Sequence, residues 1–115
     1  MSPELLKGTL TPLILKLLLD RGRMYGYEIT QQVKLISRER ILLKEGTLYP
    51  ALYKLLADGL ITAEEETAGG RARRYYSLTQ AGYTRASEQI NLVNDFLDIM
   101  REMFTPQPRL GHADI

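Results

Sequence analysis

Apolar residues recur along this chain with helical spacing in four stretches and alternate in one. In residues 5–20, Leu10, Leu13, Ile14, Leu15, Leu17, Leu18 and Leu19 surround most of a helix circumference. Thr11-Pro12 supplies a cap and first helical residue, and Gly22 lies beyond the end. A helix apolar on more than one side must be covered on more than one side, here by its own core and by a partner subunit or the C-terminal helix. Tyr25-Gly26-Tyr27-Glu28-Ile29 opens a second helix to about Ser37, with Ile29, Val33 and Ile36 inside and Gln31, Gln32 and Lys34 outside. Arg38-Glu39-Arg40 turns the chain, and Ile41-Leu42-Leu43, too short for a helix, predicts a brief strand that completes a three-stranded sheet.

The third helical stretch begins near Gly46 or Thr47, which puts Pro50 in the first turn, and stops at Asp58-Gly59. Leu48, Ala51, Leu52 and Leu55 form its apolar stripe, leaving Tyr49, Pro50, Tyr53 and Lys54 on the opposite side. Alternation follows, in a hairpin of residues 60–67 and 73–78 joined by Ala68-Gly69-Gly70-Arg71. Ile61, Ala63, Tyr76 and Leu78 alternate inward, while Glu64, Glu65 and Glu66 lie across from Arg73 and Arg74. Thr79 caps a last helix that ends near Phe104, before Pro106 and Pro108. Its apolar residues Tyr83, Ala86, Ile90, Val93, Leu97, Met100 and Phe104 are three and four apart, as in a coiled-coil seam. Beside them run Leu92, Phe96, Ile99 and Met103. Two lines on one helix require two surfaces, the chain's own first helix and a second copy of the protein.

The fold predicted is mostly α with a small antiparallel β-hairpin wing, a winged helix-turn-helix in residues 1–78. A dimerisation helix in 79–104 and a flexible tail in 105–115 follow. At 115 residues, one domain is expected. The net charge of +1 gives no bulk argument for nucleic acid. Its distribution does: residues 1–82 hold twelve Lys and Arg against nine Asp and Glu, whereas 83–115 hold three against five. The chain has no cysteine, so disulfides and thiolate metal sites are excluded. No leader or membrane-spanning run is recognisable, and a soluble cytoplasmic protein is expected.

Catalysis is not expected. The single histidine, His112, sits in the tail without a second ligand or orienting partner, and Gly69-Gly70 joins two strands instead of cradling a phosphate. The Glu64–Glu66 run reads as a solvated sheet edge facing arginines. Neither a cofactor nor a metal is implied.

A helix bearing tyrosines followed by an arginine-tipped hairpin has the outline of a reader of double-stranded DNA. Residues 45–58 enter the major groove and the wing meets the adjacent minor groove or its phosphates. Thr47, Tyr49 and Tyr53 are the expected base or sugar-phosphate contacts. Lys54, Arg71 and Arg73 neutralise phosphates, joined by Arg74 nearer the sheet and flanked by Tyr27 and Lys34. For Arg73 and Arg74, cross-strand pairing with the glutamates is the competing role. A homodimer joined through Tyr83, Ile90, Val93, Leu97, Met100 and Phe104 sets two readers about 34 Å apart and requires an inverted-repeat operator. Leu15, Phe96, Ile99, Met100 and Met103 are the expected pocket for a small hydrophobic or aromatic effector. The alternative is a winged-helix protein-interaction module that does not bind DNA, with the same tyrosines and arginines as anchors.

Five strings together resemble the PadR family of bacterial transcriptional regulators over residues 5–104: Lys7-Gly8-Thr9-Leu10, Gly26-Tyr27-Glu28-Ile29, Glu45-Gly46-Thr47-Leu48-Tyr49-Pro50-Ala51-Leu52, Gly59-Leu60-Ile61 and Arg74-Tyr75-Tyr76-Ser77-Leu78-Thr79. The resemblance implies a winged helix-turn-helix with a C-terminal dimerisation helix, usually a repressor that leaves a palindromic operator when a small molecule binds. The single final helix looks like the compact subgroup. Some members hold flat aromatic ligands between tryptophans at the dimer interface, and this chain has no tryptophan to do so.

Overall fold

Leucine-rich stripes decide the architecture. In the computed structural model, which describes residues 3–109 apart from the side chains of Pro3 and Ala68, a short helix α1 (Pro3–Leu6) passes through a 3-10 turn (Lys7–Thr9) into α2 (Leu10–Arg21). Strand β1 (Met24–Tyr25), α3 (Gly26–Ile36) and α4 (Glu45–Ala57) follow, then β2 (Ile61–Ala68), β3 (Arg71–Leu78) and the 25-residue α5 (Gln80–Phe104). The order is that of a winged helix-turn-helix. Residues 110–115, His112 among them, lie outside the described residues.

The core is built where the stripes meet. Leu10, Ile14, Leu15, Leu17 and Leu18 of α2 pack with Ile29 and Val33 of α3, Leu48, Leu52 and Leu55 of α4, and Tyr76 of β3. Each buried leucine-sized side chain removed from water stabilises the fold by about 1.5–3 kcal/mol before ordering entropy is counted. Among the described residues, no helix is long and apolar enough to cross a membrane.

Several expectations are corrected. The third strand is Met24–Tyr25, which pairs antiparallel with β3 through Met24 opposite Tyr76 and Tyr25 opposite Tyr75. The sheet order is β1-β3-β2, so both edges of β3 are taken and Ile41-Leu42-Leu43 has no partner there. That segment is irregular, with Leu43 buried, Ile41 half-buried and Leu42 exposed. Helix α2 begins at Leu10 with Thr9 as the preceding residue, and Thr11-Pro12 lies inside its first turn. Ile36 is 58% exposed, so the inner line of α3 ends at Val33.

Helix α4 starts earlier than the proline suggests, at Glu45, and Pro50 is its sixth residue. The proline ring is directed at the carbonyl four residues back, which belongs to Gly46. The helix nevertheless continues unbroken to Ala57. The hairpin is longer and its turn tighter than expected. Only Gly69 and Gly70 lie between the strands, both with positive φ (57° and 78°), as a two-residue primed turn requires.

One junction ties the wing to α5. The Thr79 N–H donates to the Leu60 carbonyl at 3.0 Å, and the Thr79 hydroxyl donates to the Gly59 carbonyl at 2.7 Å. That hydroxyl also accepts from the Gly82 N–H at 3.0 Å, capping α5 as the sequence predicts. Gly82 is buried, and a Cβ on it would stand 2.0 Å from the Leu60 carbonyl oxygen. We therefore expect Gly82→Ala to lower unfolding stability by about 3 kcal/mol, the upper end of overpacking costs, because backbone and not a side-chain tip must move. Urea titration at fixed protein concentration measures it, and a loss below about 1 kcal/mol would show that the junction yields.

Candidate nucleic-acid interface

Helix α4 and the wing form a groove of about 290 Å³. Tyr49 and Tyr53 line it from α4, Tyr27 from the start of α3, and Arg73, Arg74 and Tyr76 from β3. Five of the nine residues expected to touch DNA thus come together: Tyr27, Tyr49, Tyr53, Arg73 and Arg74. Tyr27 and Tyr53 are exposed, and Tyr49 is half-buried with its ring 6.2 Å from that of Tyr53. Gly26 allows this packing, since a Cβ there would stand 2.7 Å from the Tyr49 hydroxyl.

The other four lie around the groove. Thr47 is exposed in the first turn of α4, and Arg71 is exposed where β3 leaves the glycine turn. Lys54 reaches Asp58 at 3.3 Å and Lys34 reaches Glu39 at 3.9 Å, both on the surface. Exposed pairs of this kind stabilise little and exchange readily for another anion.

Arg73 and Arg74 lie across from the glutamates as expected, but the competing role, ion pairing with them, is not seen among the described residues. The register sets Glu65 opposite Arg74 and Glu66 opposite Arg73, but Glu66 takes its hydrogen bond and ion pair from Arg23. Arg23 holds the Glu66 carboxyl below its ordinary range, and Glu66 in turn raises the Arg23 guanidinium. On the outer face of the sheet, Arg23 lies 4.1 Å over the Tyr75 ring. Tyr75 meets Tyr25 edge to face at 5.4 Å, and Arg73 lies 4.6 Å over Tyr25. Arg74 points to the other face, 5.9 Å from the Tyr76 ring. The chain Glu66, Arg23, Tyr75, Tyr25, Arg73 braces the wing against β1.

Sequence reasoning missed Arg23, Tyr25 and Tyr75. The Arg23-x-Tyr25 and Arg73-x-Tyr75 spacings put like positions on one strand face, and that was the available signal. It could not be used without knowing that Met24-Tyr25 is a strand. Also unforeseen is the cap of α3, in which the Tyr25 N–H donates to the Glu28 carboxylate at 3.1 Å.

Helix α5 packs along α2 with Ala86 buried and Ile90, Val93 and Met100 half-buried. Tyr83, Leu97 and Phe104 of the same line are exposed. So are Leu92, Phe96, Ile99 and Met103 of the second line, at 52% or more. Leu15, expected beside them in an effector pocket, is 1% exposed in the core instead. The apolar groove that one chain does form, of about 290 Å³, runs between Leu6, Pro12 and Leu13 on one side and Ile90, Val93 and Leu97 on the other.

Burial raises the Tyr76 hydroxyl above the ordinary tyrosine value, opposed in part by Arg74. A raised folded-state value contributes stability that is complete below the unfolded value, about pH 10, and is lost as pH rises through the folded one. Unfolding stability should therefore fall above pH 10, and Tyr76→Phe should flatten that fall. Urea midpoints at pH 8, 10 and 11 test it, and equal alkaline slopes for both proteins would contradict the assignment.

Residues 14–88 match the model of the transcriptional regulator PadR-like family. The transcriptional regulator Rv3488 of Mycobacterium tuberculosis is 42% identical over 67 residues, 58% of this chain. The match spans 60% of that regulator's own length, less than two thirds. A transcriptional regulator from Clostridium thermocellum superposes with a TM-score of 0.80 at 25% identity, covering 89% of this chain and 99% of that one. A PadR family transcriptional regulator from Eggerthella lenta gives 0.73 at 28% identity, over 90% and 88% of the two chains.

Proposed function

This chain belongs to the PadR-like family of transcriptional regulators, and on that premise we propose that it binds an inverted-repeat operator as a homodimer and represses by occupying it. The observation that carries this is the groove between α4 and the wing, where three tyrosines and two arginines expected to touch DNA converge. Helix α4 enters the major groove with Thr47, Tyr49 and Tyr53 toward bases and sugars. Arg71, Arg73, Arg74 and Lys54 meet phosphates, with Lys34 and Tyr27 at the flank. Residues 1–78 serve as the reader and 79–104 as the dimer helix.

The dimer reading is supported by the two apolar lines of α5. Residues such as Phe96, Ile99 and Met103 are half or more exposed in the single chain, on a body 69 Å long and 29 Å across. Contiguous apolar surface of that kind on a helix marks an interface. A second copy packed there would cover it and would also enclose Phe96, Ile99, Met100 and Met103, where we place a small hydrophobic effector. An effector bound there acts by favouring a dimer whose reader helices no longer fit successive grooves.

Two measurements test these points. Arg71→Ala should weaken binding to all duplexes alike and reduce the slope of log affinity against log salt by about one. An unchanged slope in an anisotropy titration would remove the wing tip from the interface. Indifference of the wild type to DNA at every salt concentration would favour the protein-interaction module. Separately, Ile99→Glu should convert the dimer to monomer in sedimentation at micromolar concentration, since a charge without a partner would be buried. A variant that stays dimeric would place the seam elsewhere.

A further inference from the structure

We propose that Glu45 is a specificity residue that reads a cytosine in each half of the operator. The proposal rests on the DNA-reader function above and deepens it. Glu45 is the first residue of α4, is exposed, and lines the groove with Tyr27, Tyr49, Arg73 and Arg74. Although two arginines border the same groove, Glu45 makes no ion pair among the described residues. It also takes no part in capping, because Lys44 precedes the helix without a side-chain cap bond.

A free carboxylate on a surface that faces phosphates is repelled by them, and this cost falls away only where the nucleic acid offers it a hydrogen. An ionised carboxylate can accept hydrogen bonds and cannot donate them. In the major groove, guanine presents acceptors and thymine an acceptor and a methyl group, so neither suits Glu45. Adenine and cytosine each present an amino group. The adenine amino group stands beside the N7 acceptor, which repels the second carboxylate oxygen, whereas the cytosine amino group stands beside a C–H. Cytosine is therefore the match, and it is the base that acidic side chains accept from in the major groove.

The position agrees with this. Residues at the N-terminus of a recognition helix are the ones that reach base edges. Tyr49 and Tyr53, one and two turns further on, lie about 6 and 12 Å along the axis from Glu45. The competing role for Glu45 is to stabilise the positive end of the α4 dipole. That role would change stability and would not change which base is preferred at one position.

The test is selection of bound sites from a pool of random duplex DNA by the full-length wild type, E45Q and E45A, with a thermal melt of each variant. The wild type should recover an inverted repeat with one symmetry-related cytosine pair, favoured over other bases by roughly five- to 150-fold. E45A should lose selectivity at that pair alone. E45Q, nearly the same shape, should shift it toward adenine, since glutamine pairs with adenine N6 and N7. If E45A does not fold, E45Q carries the result. Retention of the cytosine by the variants, or a uniform loss of selectivity at all positions, would overturn the proposal while leaving the reader intact. Recovery of no site by the wild type would overturn the DNA reading itself, and this proposal with it.

Discussion

The geometry of the molecule depends on the close approach of Gly82 to the Leu60 carbonyl. Leu60 ends the connection from α4 into β2, and Gly82 lies in the first turn of α5. With Thr79 bonded to both Gly59 and Leu60, the end of the reader helix, the base of the wing and the start of the long helix meet within a few residues. No side chain intervenes that could act as a soft spacer. The start of α5 is therefore held against the end of α4 and the base of the wing by direct backbone approach.

Much of the fold was legible because its elements are long and strongly periodic. The stripe of Leu48, Leu52 and Leu55 located α4, and the glycine pair located the turn of the hairpin. Shorter elements were not legible. Met24-Tyr25 has two residues, too few to show alternation, and becomes a strand only because β3 offers it an edge. Ile41-Leu42-Leu43 has the better strand composition but no free edge to join, so tertiary competition overrode local preference. Pro50 misled too: the helix starts one or two residues before the proline rule suggests, at Glu45, so Pro50 stands just beyond its first turn.

The candidate site divides along similar lines. Residue types on α4 and at the hairpin pointed to the groove, since their faces follow from helical and strand periods. The role of the arginines did not follow from pairing register. Residues opposite one another share a face, but a long side chain chooses its partner in three dimensions, and Glu66 chose Arg23 from outside the hairpin. That choice frees Arg73 to lie on Tyr25 and leaves Arg74 directed toward the reader helix. Five residues far apart in sequence thereby fix the wing's position relative to α3.

Charge placement matters to the proposed DNA reader because the chain as a whole carries a net charge of only +1. The carboxylate of Glu66 is neutralised by Arg23 on the outer face, so it subtracts little from the potential at the wing tip. Lys54 and Lys34 each rest beside an exposed intramolecular anion that a phosphate readily replaces. At the wing, Arg71, Arg73 and Arg74 make no ion pair among the described residues, with Arg73 lying over Tyr25 and Arg74 beside Tyr76. On the proposed reading, three phosphate contacts from these arginines would give a salt slope of about −3 per copy. A second copy on a two-fold axis, as proposed, would double that slope without any new contact type. On the proposed reading the exposed apolar lines of α5 and the cations of the wing serve one end, since association through the helix would add a second set of phosphate contacts.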